Sequence, residues 1–361
     1  MPRYGRISTE VMRQMTHAPS KTILAIATVL ALGCAASEPP EEANPLRPAG
    51  EGQVYRADPG LDALVPENAM IEKVAGGFMF IEGPVWVTRA WEGTPFLLFS
   101  DVLGNAIYKW SPSGGAPTEF KKPVFEGEVA EGRLAGSNGM TLDADGNLFV
   151  AEHGNRRISK VTPDGKWTSF VDKYDGKRFN SPNDLVWRGA DWLYFTDPPY
   201  GLIGQDESED KEQDQNGVYR VSKDGKTVEL LEPRMSRPNG IAFSPDGATM
   251  YVANSDPAQK HWQAFSIHED GTLGLSRTFY DVTDQMEEGL PDGLKVDNQG
   301  NLFATGPGGV WIFSPDGKHL GTIKPTEVPA NVGWADGGST LYMTARTGLY
   351  RIKLSTGGKI P

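Results

Sequence analysis

The chain has 361 residues, 38% of them hydrophobic and 23% charged, enough to build one large packed domain or two ordinary ones. Its 43 glycines and 27 prolines favour many turns and few long helices. A formal net charge of −12 argues against nucleic acid as a partner, because phosphate binding calls for a basic face.

At the N-terminus, Arg3, Arg6, Arg13 and Lys21 precede the apolar run "TILAIATVLAL" (22–32). That run is too short to span a bilayer and reads as part of a signal peptide over residues 1–33. Two processing routes fit. The stretch "GCAAS" resembles a lipobox, with Ala31 where leucine is usual, so that cleavage before Cys34 would leave a lipid-anchored protein. Cleavage after Ala36 would instead release a soluble exported one. Either route predicts a periplasmic protein, touching the membrane only through a lipid on Cys34. As the one cysteine, Cys34 has no partner for an internal disulfide. Residues 34–53 are rich in Pro, Glu, Ala and Gly, and predict a flexible tether.

From residue 54 to 361 there is no strong helical period. Short strand-like runs alternate with Asp-Gly, Asn-Gly and Pro-Asp-Gly turns, as in a single all-β domain. One unit recurs: "NGMTLDADGNLFVAE" (138–152), "NDLVWRGADWLYFTD" (183–197), "NGIAFSPDGATMYVAN" (239–254) and "DGLKVDNQGNLFATG" (292–306). A weaker copy starts at Asn331 and a divergent first copy at Glu82. Each unit has room for four short strands, which predicts a six-bladed β-propeller of four-stranded antiparallel blades around a central channel. The last unit ends with the chain, so "AMIEKVAGG" (69–77) is expected to supply its outer strand and close the ring. The acid-rich insertion 204–216 does not match an EF-hand loop and reads as a solvated surface loop.

In a propeller the innermost strand of every blade lines the channel, so the six leading residues should converge at one end of it. They are Glu82, Asn138, Asn183, Asn239, Asp292 and Asn331. The ends of the second strands should bring His153, Asp197 and Tyr200 to the same rim. Two carboxylates among amide oxygens form a hard ligand set, suited to Ca²⁺, with Mg²⁺ or Mn²⁺ possible, and poorly suited to Zn²⁺. The competing reading is that Asn and Asp merely shape turns, which weakens when one residue class recurs at one phase in every blade.

The strings "FIEGPVW" (80–86), "AEHGNRRI" (151–158), "SPNDLVW" (181–187), "YFTDPPYG" (194–201), "RPNGIAFSPDG" (237–247) and "PDGLKVDNQGNL" (291–302) resemble the gluconolactonase/regucalcin family of six-bladed propeller hydrolases, and bacterial gluconolactonases in particular. The resemblance implies a calcium-dependent lactonase acting on a sugar lactone such as glucono-1,5-lactone. It implies Glu82, Asn183, Asn239 and Asp292 as metal ligands, with Asp292 also assisting the attacking water. Asn138, Asp197, Tyr200 and Arg178 are candidates for substrate contact or for support of the ligands, and His153 for proton transfer or a hydrogen bond to substrate. One position departs from the family: regucalcin has an arginine two residues before the equivalent of Asn183, where this chain has Ser181, with Arg178 the nearest basic residue. Two other readings are a related hydrolase of other lactones or phosphoesters, and a non-catalytic propeller used for binding.

Overall fold

Four hairpin turns share one chemistry. In Thr162–Gly165, Ser222–Gly225, Ser244–Gly247 and Ser314–Gly317 the fourth residue is a glycine at φ between 69° and 94°. Its N–H closes the turn on the first residue's carbonyl at 2.8–2.9 Å. The first hydroxyl in each bonds the Asp between them. A turn followed by a left-handed glycine matches strand twist and fixes hairpin register.

The computed structural model describes residues 46–88, 91 and 93–361; the run 22–32 and Cys34 lie outside them. The described residues hold strands and three short 3₁₀ turns, with no α-helix among them. Six antiparallel sheets follow in chain order, with inner strands Ile81–Val87, Ser137–Leu142, Leu185–Arg188, Pro238–Phe243, Leu294–Val296 and Asn331–Ala335. Each inner strand contacts the next, and the sixth contacts the first, so the sheets close into the expected propeller. Blade interiors are aromatic. Phe195, for example, stacks on Tyr219 at 5.4 Å and meets Phe179 edge-on at 5.1 Å. Such pairs add about 0.5–1.5 kcal/mol each beyond burial.

Closure uses the strand expected for it. Ile71–Gly76 pairs with Gly348–Lys353 as the outer edge of blade 6. Part of the stretch expected to be a tether is instead paired. Leu46–Pro48 pairs with Gly52–Arg56, which pairs with His319–Pro325, so residues 46–53 are extra strands on blade 5. An edge strand needs only alternate side chains buried, and here Ala49 and Val54 suffice. A stretch can therefore look unfoldable by composition and still pair by backbone.

At the channel rim the blades come into backbone contact. A Cβ on Gly83 would lie 2.0 Å from the Asn138 carbonyl oxygen, and one on Gly139 2.6 Å from that of Asn183. On Gly240 it would meet the Asp292 carbonyl at 2.3 Å, and on Gly333 that of Pro84 at 2.6 Å. Glycine is needed where backbones approach this closely. Since Gly240 sits opposite backbone that cannot rotate away, Gly240→Ala should cost about 1–3 kcal/mol, read as a lower urea midpoint. An unchanged midpoint would show the rim to be looser than described.

Candidate functional site

Two devices aim the rim residues. The first is a hydroxyl near the end of a second strand that donates to the next blade's rim backbone. Ser100 Oγ bonds the Asn138 carbonyl at 2.8 Å, Thr196 Oγ1 the Asn239 carbonyl at 2.7 Å, and Thr305 Oγ1 the Ala330 carbonyl at 2.9 Å. Ser255 does the same to Pro291. The second is a side chain that gathers the backbone just before a rim residue. Asp101 accepts the Met79 and Phe80 N–H groups, each at 3.0 Å, ahead of Glu82. Asp197 accepts those of Asn180 and Ser181, each at 2.8 Å, ahead of Asn183. Asn254 accepts that of Arg237 at 2.9 Å, ahead of Asn239. Asp197 thus gathers the backbone that leads into Asn183.

The rim carboxylates, Glu82 buried and Asp292 half-buried, are close enough to repel. Glu82 is 2% exposed; burial pushes its pKa up to about 7, against the Gly83 N–H, the Asn331 side chain and Lys295, while the charge of Asp184 adds to the rise. Burial, then the charges of Glu82 and Asp184, hold the Asp292 carboxyl well above its ordinary range, with Asn239 opposing. Tyr200 lies beside Ser255 and Asn239; burial, then the charge of Asp292, raises its hydroxyl further. Glu82, Asn239, Asp292 and Asn331 are thus brought together with Tyr200. Asn138 and Asn183 join them through the glycine contacts. The Oδ1 atoms of Asn138 and Asp292 are enclosed and have no hydrogen-bond partner among the described residues.

Arg178 stands elsewhere. Arg178 is half-exposed and held by Glu212, through its backbone N–H at 2.7 Å and its Nε at 2.5 Å. It anchors the 204–216 insertion instead of facing the rim. That insertion is largely solvated, but Gln213 is buried and bonds the Tyr174 and Lys177 carbonyls, each at 3.0 Å. His153 is fully buried against Gly201, its backbone N–H donates to the Gly136 carbonyl at 3.0 Å just before Asn138, and neither ring nitrogen has a hydrogen-bond partner among the described residues. Ser181 holds the "DPPYG" loop, donating to the Pro198 carbonyl at 2.5 Å and accepting from the Gly201 N–H at 2.9 Å.

Two residues were missed. Asp184 occupies the place that glycine takes after the rim residue in blades 1, 2, 4 and 5. It points along the channel, 3.8 Å from the Lys295 ammonium of blade 5. The sequence signal was the odd "ND" among "NG" and "DG" repeats. Arg237 lines a cavity of about 590 Å³ above the rim, together with Tyr200, Arg133 and Asp206. Its signal was a basic residue two positions before Asn239.

A sequence profile for the SMP-30/gluconolactonase/LRE-like region matches residues 80–347. The chain belongs to that family. It is 40% identical to the gluconolactonase of Zymomonas mobilis, over 98% of this chain and 99% of that protein. It is 26% identical to the pentonolactonase of Haloferax volcanii, over 74% of this chain and 81% of that protein. The solved gluconolactonase of Xanthomonas campestris superimposes with a TM-score of 0.72 at 31% identity, covering 87% of this chain and 99% of that one. The calcium-binding regucalcin of Agrobacterium tumefaciens shares the fold, at a TM-score of 0.60 and 17% identity over 78% and 92% of the two chains.

For this SMP-30/gluconolactonase member the rim fits a hard divalent cation. No group of three or more His, Cys, Asp or Glu side chains arranged for a metal occurs among the described residues, and the oxygens the rim offers are carboxylates and amides. The unpartnered oxygens are acceptors, and carboxylates that repel one another are what a cation relieves.

His153 carries a pH prediction. Burial pushes its pKa down to about 4, with the Leu134 backbone opposing. The unfolded chain takes up this proton near the ordinary 6.5 and the folded chain only near 4, so the stability is full above that window and is lost as pH falls through it. The loss is at most about 3 kcal/mol. His153→Gln should flatten the acid limb of the stability profile. The imidazole signal of His153 should stay unshifted between about pH 5 and 8, and a titration near 6.5 would contradict the buried neutral ring.

Proposed function

We propose that the protein is a cation-dependent lactonase that hydrolyses a sugar lactone such as glucono-1,5-lactone to its aldonic acid. The observation that supports it most is the oxygen-only rim, with the free Oδ1 atoms of Asn138 and Asp292, in a chain 40% identical to a gluconolactonase over 98% of its length.

Glu82, Asn183, Asn239 and Asp292 are the proposed ligands, and Ca²⁺ suits their hard, amide-rich character, with Mg²⁺ or Mn²⁺ of the same class. When bound, such an ion supplies a Lewis acid for the lactone carbonyl. Asp292 accepts the proton of the water that adds to that carbonyl, its Oδ1 being free to do so. The acyl C–O bond of the ring then breaks, and the ring oxygen takes the proton back from Asp292 to become a hydroxyl of the acid product. Asn331 holds the Glu82 carboxyl in place. Asn138 offers its carbonyl oxygen to a substrate hydroxyl, and Tyr200 closes one side of the cavity. A lesser part is proposed for neutral His153, a hydrogen bond to a substrate oxygen through a shift of the Gly201 loop. Export to the periplasm, with a lipid on Cys34, is the proposed location.

A pH-indicator assay tests the reading. Wild-type protein should hydrolyse glucono-1,5-lactone above the spontaneous rate, lose that activity to a chelator and regain it with Ca²⁺. Asp292→Asn should lower kcat by about 10²–10⁴-fold while far-UV circular dichroism stays unchanged. Asn239→Ala should weaken calcium binding, measured by calorimetry, more than Asn331→Ala does. Protein that hydrolyses no lactone with or without Ca²⁺ would end the proposal.

A further inference from the structure

The cavity above the rim is bounded by residues 130–134 on one side and 200–207 on the other, with Arg237 and Tyr200 on its wall. Its two arginines are held differently. Arg133 is pinned, its Nε donating to the Gly201 carbonyl at 3.2 Å and its guanidinium stacked on Phe125 at 5.0 Å. Arg237 is anchored at one end only. Its Nη1 donates to the Ser236 carbonyl at 2.8 Å and pairs with the Asp206 carboxylate. Its Nε and Nη2 have no hydrogen-bond partner among the described residues. Asp206 is fixed as well: it sits in the 3₁₀ turn Gln205–Glu207, and its Oδ1 accepts the Asn216 amide at 2.9 Å. Asn216 in turn bonds Asn180, whose backbone N–H is held by Asp197. The pair is thus braced by the same network that sets the approach to Asn183.

A guanidinium fork with free N–H groups, beside a carboxylate that still has lone pairs, offers donors and acceptors side by side. Adjacent hydroxyls present the same alternation, since each can donate once and accept twice. An unsubstituted lactone ring presents only its ester oxygens and leaves the pair unanswered. We infer that Arg237 and Asp206 are the hydroxyl-recognition pair of this site and select a neutral, polyhydroxylated lactone over an unsubstituted one. The inference rests on the lactonase reading and adds the residues that choose between hydroxylated and unsubstituted lactones.

The test compares glucono-1,5-lactone with δ-valerolactone, which has the ring and the ester but no hydroxyls. Calcium-loaded wild type, Arg237→Gln and Asp206→Asn are each assayed on both. Wild type should prefer the hydroxylated lactone. In each variant the ratio of kcat/KM for the two substrates should fall about 10–100-fold, mainly through a higher KM for gluconolactone. The double variant should lose little more than either single one, because the two groups act as one unit. A ratio that stays put, whether both activities fall together or neither changes, overturns the inference while leaving lactone hydrolysis intact. A wild type inactive on both lactones removes the lactonase reading and this inference with it.

Discussion

Neighbouring inner strands touch backbone to backbone at one end of the channel, and the rest of the molecule follows from that contact. It requires glycine after the rim residue in blades 1, 2, 4 and 5, because any side chain there would strike the next blade. It places the leading side chains in a common ring without any of them reaching for it. Hydroxyls of Ser100, Thr196, Ser255 and Thr305 then tie one blade to the next at the same level. The site therefore stands on rigid elements bonded across blade boundaries, and not on loops free to drift.

That geometry has an electrostatic consequence. Glu82 and Asp292 lie within each other's fields and that of Asp184, so ionising both is unfavourable. Lys295 offsets part of this from within the channel, at 3.8 Å from Asp184. The remainder is unanswered by the protein. A rim built to hold surplus negative charge at fixed positions is unfavourable for stability and useful for binding a cation, which is the trade expected of a functional site. The proposed chemistry needs no nucleophilic side chain. A lactone needs polarisation of its carbonyl and a base for water; the proposal assigns the first to a cation held at the rim and the second to Asp292.

The repeated "NG" and "DG" pairs made the propeller and its ring legible, because one physical constraint, the close approach at the rim, acts on every blade and so leaves a periodic trace. The closing strand 69–77 was legible for a similar reason: a sixth unit with only three strands needs a fourth. Residues 46–53 were not, since edge pairing uses backbone groups that composition does not report. Arg178 was nearest to Asn183 along the chain, but Glu212 turns it outward. Arg237 and Asp206 meet across separate blades' loops, and no spacing along the chain encodes that meeting. Asp184 was visible as an exception to the glycine rule, yet its partner Lys295 lies 111 positions and two blades away.

Diffraction from a crystal soaked in Mn²⁺, collected at a wavelength where manganese scatters anomalously, tests the account most directly. The account predicts one strong anomalous peak on the channel axis, within bonding distance of Glu82, Asn183, Asn239 and Asp292. A rim with no peak at saturating Mn²⁺, or a peak held by the 204–216 loop in its place, would contradict it.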